Sequence, residues 1–553
     1  MKQEKIIIYQ ILTRLFGNKN QTNQENGSLE VNGCGKMNDL DDHTLRLIKG
    51  MGITHIWYTG IIRHASQTDY SRFGIPTQHG DVVKGKAGSP YAITDYYDID
   101  PDLAENVDNR MKEFEALVER THQAGMKVIM DFVPNHVARE YKSIYKPADV
   151  SDLGEADDVN MHFSTRNNFY YCWGQPLDLE AIAQHSSYHE MPARATGNDL
   201  FGNRPSRNDW YETVKLNYGI DYCDAGGRSE HFNPIPDTWN KMTDILLFWA
   251  KKGVDGFRCD MAEMVPAAFW AWATDKVKYR YPDMIFIGEV YNPAEYRNYI
   301  HAGFDYLYDK VGMYDCIRDV ICGHRQARDI TYQWQSTDDI RNHMLYFLEN
   351  HDEQRIASDF FAGNAQSGFP AHLISVLLQK NPYMLYAGQE FGEKGMDKEG
   401  FSGGDGRTTI FDYWCVDTLR RGYFDRRRLK QEERKLMSDY QKVMLMANAE
   451  KAFREGEMFD LMYANDELAD RQYAFLRKAE SELILVVANF SASQASVRVR
   501  IPRHAFDFLG ILEKETDATD LLTGNHASLP LYADVPFSIN IPAHGGRVFK
   551  MIL

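Results

Sequence analysis

The sequence predicts an α/β protein: a (β/α)8 TIM barrel with a small domain inserted after strand 3 and a C-terminal antiparallel β-sandwich domain. Three observations predict it. Short apolar runs alternate with amphipathic helical stretches as far as about residue 450, the βα pattern of a parallel sheet. Eight such units fit that span, which suits a barrel with long insertions. Beyond residue 450 the pattern changes to short alternating strands separated by turns, which reads as an antiparallel β unit.

The elements follow in order. Ile6–Ile11 is a first strand. Leu40–Lys49 is a helix, with Gly52 as its stop, and Ile53–Thr59 is strand 2. Met111–Ala124 places Met111, Phe114, Leu117 and Val118 on one face, and Gly125 ends it. Met126–Val133 is strand 3. Asp237–Lys252 is a helix with Asp237 as N-cap and an apolar stripe of Trp239, Met242, Leu246 and Trp249. Gly256–Met261, Met284–Val290, Phe304–Tyr308, Met344–Leu348 and Tyr383–Tyr386 supply strands 4 to 8. Glu432–Asn448 is the last long helix; Gln472–Leu476, Leu483–Asn489, Ala495–Ile501 and Gly546–Met551 are later strands. The domain boundaries expected from this pattern are 1–134 with 219–449 for the barrel, 135–218 for the insertion and 450–553 for the β domain.

Composition narrows the function. The chain has 62 Lys and Arg against 79 Asp and Glu, a net charge of −17. So acidic a surface repels polyphosphate, so neither nucleic acid nor an anionic membrane is expected as a partner. The arginines at 420, 421, 426, 427 and 428 read as a salt-bridged connector. Seven cysteines without a C-x-x-C pair give no zinc signature and fit a reducing compartment. The first residues, Met1-Lys2-Gln3-Glu4-Lys5, run straight into a β-like stretch without an apolar leader, so a cytoplasmic location is expected. Composition leaves the oligomeric state open.

Working residues of a barrel sit at the C-terminal ends of its strands. Strand 3 ends at His136, strand 4 carries Arg258 and Asp260, strand 5 ends at Glu289, and strand 7 runs into His351 and Asp352. Arg258 and Asp260 are two apart and share one face. Three carboxylates, two imidazoles and a guanidinium on one rim suit glycoside cleavage, which uses one carboxylate as nucleophile and one carboxylic acid to protonate the leaving oxygen. Arg258 is expected to hold Asp260 ionised. Glu289, flanked by Ile287, Gly288 and Val290, is expected to have the less polar setting that an acid needs.

DFVPNH at 131–136, GFRCD at 256–260, GEV at 288–290 and ENHD at 349–352 resemble, in order and spacing, the four short regions of the alpha-amylase family, glycoside hydrolase family 13. GITHIWYTG at 52–60, SPYAITDYYDIDP at 89–101 and NPYMLYAGQE at 381–390 are similar to further family stretches. The resemblance spans roughly residues 5–450. It implies Asp260 as nucleophile, Glu289 as general acid/base and Asp352 as transition-state stabiliser. It also implies that Arg258, His136 and His351 support them, that Tyr91 is the platform under the reacting sugar, and that Asp95 supports Tyr91. Arg355 is a candidate contact to a neighbouring glucose. Asn135 matches a ligand of a structural Ca2+ between barrel and insertion, with Asn217 as a second; no cofactor is required for the chemistry. The Asn-rich stretch Asn18–Asn26 resembles a first-loop calcium site but lacks its aspartates, and reads as a polar loop.

Departures are visible. Ser89-Pro90 stands where many amylases have His-Gly, and Glu263 and Met264 stand where many have Lys-His. His185 and His189 lack the Glu of a zinc-protease motif and read as structural. Tyr170, Tyr171, Trp173, Trp210 and Tyr211 are candidate sugar platforms. The expected activity is retaining cleavage of α-1,4 links in starch- or glycogen-derived oligosaccharides by double displacement. A transglycosylase of the same family is the alternative. An inactive sugar-binding homologue conflicts with the presence of all three carboxylates, and a metal-dependent hydrolase with the lack of a His-x-His strand end.

Overall fold

The computed structural model describes residues 4–395, 398–401 and 403–553. Eight parallel strands close into a barrel: strand 1 (Ile7–Leu12), strand 2 (His55–Thr59), strand 3 (Lys127–Phe132), strand 4 (Gly256–Cys259), strand 5 (Ile285–Gly288), strand 6 (Tyr306–Tyr308), strand 7 (Met344–Phe347) and strand 8 (Tyr383–Tyr386). Strand 8 pairs with strand 1, which pairs in turn with strand 2. All eight lie inside or within two residues of the predicted apolar runs. The first residues, 1–3, lie outside the described part.

Strand alternation sorts the side chains into two layers. Ile8, Trp57, Ile129, Ile287, Tyr308, Leu345, Phe347 and Met384 point inward and fill the barrel. Their neighbours Ile7, Tyr9, Ile56, Tyr58, Val128 and Phe286 face outward into the core beneath the helices. A Cβ at Gly288 would lie 2.9 Å from the Phe304 and Leu307 side chains, so strand 5 reaches its neighbour there without a side chain.

Helix Asp237–Lys251 forms as the apolar stripe predicts, with Trp239, Met242, Leu246 and Trp249 all buried. Its cap differs from expectation. Pro236 holds the N-cap position, and Asp237 is the first helical residue, paired one turn on with Lys241 at 2.9 Å. Pro there loses nothing, since the first turn has no use for its missing N–H.

The polar segment after strand 3 has no βα unit. His136–Ala138 pairs antiparallel with Thr213–Lys215, closing the insertion at its neck. Buried polar side chains tie it together beside buried apolar ones such as Leu153, Phe169 and Tyr170. Arg139, 1% exposed, donates to Glu190 at 2.8 Å and to the Tyr211 carbonyl at 2.5 Å. Asp157 accepts the N–H groups of Asn168 and Phe169. His185 and His189 are exposed in irregular chain, not on a helical face.

From Glu457 onward a six-stranded antiparallel sheet and a two-stranded sheet (Ala495–Val499 with Phe537–Ile541) form. Four of these strands match the alternating runs seen in the sequence. Glu457–Asp460, Lys514–Asp520 and His526–Leu531 were hidden by short, polar or proline-containing sequence, whereas Phe537–Ile541 (FSINI) does alternate and escaped the sequence analysis. Arg477 joins this sheet to the barrel. It is 1% exposed and donates to the carbonyls of Leu377, Leu378, Phe453 and Gly456 at 2.9, 3.1, 2.9 and 3.0 Å. Two of those carbonyls end helix Phe369–Leu377, where a cation is electrostatically favoured. Arg477→Met keeps the stem but strips four buried acceptors of their donor. A loss of about 2–4 kcal/mol is expected, seen as a lower urea midpoint; an unchanged midpoint would show that other donors can replace the guanidinium.

The arginines at 420, 421 and 428 pair with Asp417, Glu433 and Asp425, as a salt-bridged connector should. Asn18 and Asn23, in the polar first loop, pin it to the backbone at Trp414 and Cys415. All seven cysteines are unpaired, and among the described residues no helix is long and apolar enough to cross a membrane.

Candidate active site

The centre of the site is Arg258. Register sets Arg258 beside Asp131 on strand 3 and Ile287 on strand 5, so its side chain enters the barrel between them. Its guanidinium carbon lies 5.2 Å from the Trp57 ring centroid, 5.3 Å from Tyr91 and 5.6 Å from Tyr308. Flat rings around a flat cation leave its N–H edges free for hydrogen bonds. One nitrogen donates to Asp260 Oδ1 at 2.8 Å, the other to Glu289 Oε2 at 2.7 Å. One planar group thus holds both carboxylates at a fixed spacing.

Backbone geometry completes this. The Asp260 N–H reaches the Phe132 carbonyl at 2.9 Å, extending the ladder one residue past strand 4. Met261 then turns into left-handed backbone with φ 43°, a strained conformation for a side chain of that size. The turn delivers the Met261 N–H to Glu289 Oε2 at 2.8 Å. Glu289 therefore does not sit in the apolar setting expected from its neighbours in sequence. It meets a guanidinium, a backbone N–H and the Tyr291 hydroxyl, which donates to Oε1.

Asp260 is 5% exposed, and among the described residues no protein group hydrogen-bonds its Oδ2. Burial pushes its carboxyl well above the usual aspartate range; Arg258 opposes this, while Glu289 and Asp131 add to it. The guanidinium acts in the expected direction, lowering this pKa, but desolvation outweighs it. The acid limb of kcat/KM is expected above the ordinary aspartate value of about 3.9, and Arg258→Met should move it higher, because losing a cation disfavours the charged form. A pH–rate profile checks this; a limb that stays put in the variant would place control elsewhere.

Across the cleft, His351 organises the third carboxylate. Its ring stacks on Tyr91 at a centroid distance of 5.2 Å, and Nε2 lies 3.0 Å from Asp352 and 2.5 Å from the Tyr91 hydroxyl. Nδ1 meets the Gln10 amide at 2.8 Å. Burial, with Arg258 nearby, lowers the His351 pKa to about 3, so the ring is neutral and holds Asp352 as a hydrogen-bonding partner. The Asp352 side chain stays 39% exposed at the mouth. His136 is likewise neutral, lowered to about 3 by burial and by Lys215 and Lys84.

Asp260, Glu289, Asp352, Tyr91, His136 and His351 thus line a single cleft of about 240 Å³, with Arg258 beneath. Its far wall is made by Trp210, Glu212, Thr213 and Lys84, and Phe411 closes another side. Trp210 holds the place of a candidate platform, 5.2 Å from the His136 ring. Tyr170 and Tyr171 are buried inside the insertion and Trp173 is exposed, all outside the cleft lining.

Three predicted site residues lie elsewhere. Asp95 is fully buried and accepts from Tyr97 N, Ser143 Oγ, Ile144 N and Tyr145 N, clamping the insertion to the hairpin after strand 2. Arg355 is 1% exposed and donates to Glu349, Thr408 and the Ala387 carbonyl at 2.8, 2.7 and 2.9 Å, which leaves its guanidinium bound to the frame instead of to the cleft. The place beside Asn135 is taken by a lysine. Asn135 Oδ1 accepts from Lys215 Nζ at 2.6 Å, and its Nδ2 donates to the Gly197 carbonyl at 2.8 Å. Asn217 is bound to the carbonyls of Ser164 and Asn167. A calcium ion does not fit a donor set already filled by an ammonium.

Two participants escaped the sequence analysis. Asp131, raised to about 6 by burial, accepts from Trp57 at 3.0 Å and lies 3.4 Å from Arg258. Tyr291 sits two residues past Glu289. Two-residue spacing, the rule that paired Arg258 with Asp260, could have marked Tyr291 through Glu289; Asp131 stands at an odd spacing from His136 and joins the site only through its register opposite Arg258.

A family model described as "Alpha amylase, catalytic domain" matches residues 10–443. The chain is 22% identical over 542 residues to Alpha-amylase 3 of Dictyoglomus thermophilum, covering 95% of this chain and 92% of that protein. It is 24% identical over 529 residues to Alpha-amylase MalA of Haloarcula japonica, covering 95% of this chain but only 59% of that longer protein. The alpha-amylase of Geobacillus thermoleovorans, solved in complex with acarbose, superposes with a TM-score of 0.67 at 18% identity, covering 100% of this chain and 99% of that one. Barrel, strand-end carboxylates and family match agree: this chain belongs to the alpha-amylase family.

Proposed function

We propose that this protein is a retaining glycosidase that cleaves α-1,4-glucosidic bonds in starch- or glycogen-derived oligosaccharides. The observation that carries this is the single guanidinium of Arg258 bridging Asp260 and Glu289 at 2.8 and 2.7 Å, with Asp352 facing them across one cleft. A bridge that short favours the closer of the two carboxyl spacings, about 5–5.5 Å, at which one group attacks carbon directly. At the larger spacing a water would have to fit between.

In this mechanism Asp260 Oδ2 attacks the anomeric carbon while Glu289 protonates the departing oxygen. The bond to the leaving sugar breaks and an ester to Asp260 forms. Glu289, now ionised, takes a proton from water, which attacks the same carbon from the opposite face and frees Asp260. Asp352 supports the cationic transition state, and Tyr91 offers the flat face on which the ring rests. The unpaired cysteines support a reducing, cytoplasmic setting.

Incubation with maltoheptaose tests the reading, following chain length and anomeric proton signals. Shorter products, α-anomeric at first appearance, would establish the retaining hydrolase. Products longer than the substrate with little new reducing end would make it a glucanotransferase, and β-anomeric products would overturn the mechanism.

A further inference from the structure

The calcium position that the family resemblance implies is filled by this chain itself. His136 pairs directly across from Lys215 at the neck of the insertion, which brings the Lys215 side chain alongside Asn135. Lys215 is 2% exposed. Its Nζ lies 2.6 Å from Asn135 Oδ1, 2.6 Å from Asp199 Oδ1 and 3.5 Å from the Met264 carbonyl. Those oxygens come from three parts of the fold: the end of strand 3, the insertion, and the loop after strand 4. An ammonium has three hydrogens and no acceptor. Asn135 and the Met264 carbonyl accept from it and Asp199 adds an ion pair, so three oxygens from three segments surround it. The same oxygens are of the type a hard divalent cation would gather, but with Lys215 among them such an ion would stand beside a like charge at bonding distance.

We propose that the Lys215 ammonium serves as a built-in cation that ties the barrel to the insertion, in place of a bound calcium ion. Two further observations support it. The turn presenting Asp199 is shaped for the purpose: Asp199 has φ 63°, and the neighbouring Gly197 carbonyl accepts from Asn135 Nδ2. The charge is also balanced, since a buried ammonium needs a carboxylate partner and Asp199 supplies it. Burial pulls the Lys215 pKa down, and Asp199 opposes that pull. The tie bears on the cleft, because His136 and Thr213, on the two strands it joins, line it.

Thermal unfolding and metal content test the proposal independently of activity. Wild-type protein is expected to melt at the same temperature in EDTA as in millimolar CaCl2. Lys215→Met, which keeps the stem and removes the charge, should melt several degrees lower in both. Lys215→Ser, which opens the oxygen cage, should melt lower in EDTA and regain most of the loss with calcium, with one bound calcium per chain beyond the wild-type content. Should the Lys215 variants fail to fold, Asp199→Asn on its partly exposed turn must still lower the melting temperature without gaining a calcium response. The proposal is overturned if EDTA lowers the wild-type melting temperature and Asn135→Ala abolishes that effect. It is equally overturned if Lys215→Met melts like wild type, or if Lys215→Ser ignores calcium.

Discussion

Asp260→Asn is expected to lower kcat by about 10⁴-fold or more while leaving oligosaccharide binding measurable. The amide keeps the shape of the carboxylate and can still pair with Arg258 through its oxygen, so the cleft should survive. It cannot form the glycosyl ester. The wild-type carboxyl is already burdened by burial, and Arg258 is the chief opposing group. The chemistry therefore rests on a charge that the fold holds at some cost, and no other carboxylate stands in the same place. Asp131 is nearest in kind, but it is turned toward Trp57 and lies outside the cleft lining. Calorimetric binding of a malto-oligosaccharide together with single-turnover rates separates the outcomes. A variant with wild-type turnover would remove Asp260 from the nucleophile's role. One that neither binds nor turns over would point to a collapsed cleft.

The second large effect is expected at Glu289→Gln, and it should depend on the substrate. Proton transfer to the leaving oxygen contributes about 10²–10⁴-fold. Oligosaccharides, whose leaving sugar is a poor one, should lose most of that. Aryl glucosides with an acidic phenol need little protonation, so bond cleavage should be far less affected. Glutamine retains an oxygen for Arg258 and the Met261 N–H, so the surrounding hydrogen bonds can persist. Equal losses on both substrate types would assign Glu289 a structural role. Added azide provides an independent check, since a small anion can take the place of the water that Glu289 would activate. A faster rate with a glycosyl azide product is expected in the variant alone.

Much of this was legible in the chain. The alternation of apolar runs and amphipathic helices is a local property, and all eight barrel strands lie inside or within two residues of where it predicts them. Because working groups in such a barrel stand at strand ends, the same reading found five of the side chains that now line one cleft, and the family resemblance added Tyr91. The β strands near the C-terminus were only half visible. Strand Lys514–Asp520 has the sequence KETDATD, without apolar alternation, and its partner His526–Leu531 alternates Ala527, Leu529 and Leu531 but carries Pro530, which argues against a strand. Long-range pairing with Gly545–Ile552 holds the first in place.

By itself, then, the sequence determined the barrel, the interrupting insertion and the identity of the rim groups, because period and strand polarity act over a few residues. What each polar group does with its hydrogen bonds was decided only by tertiary structure. Asp95 reads like a site residue until loop 143–145 folds over it. Arg355 does so until Thr408 and Ala387 take its donors. Glu289 has apolar neighbours along the chain and polar ones in space, and Asn135 looks like a metal ligand until Lys215, 80 positions away, reaches its oxygen. A buried polar atom must find a partner; which partner it finds depends on segments far apart in sequence meeting at one point, and no local pattern encodes that.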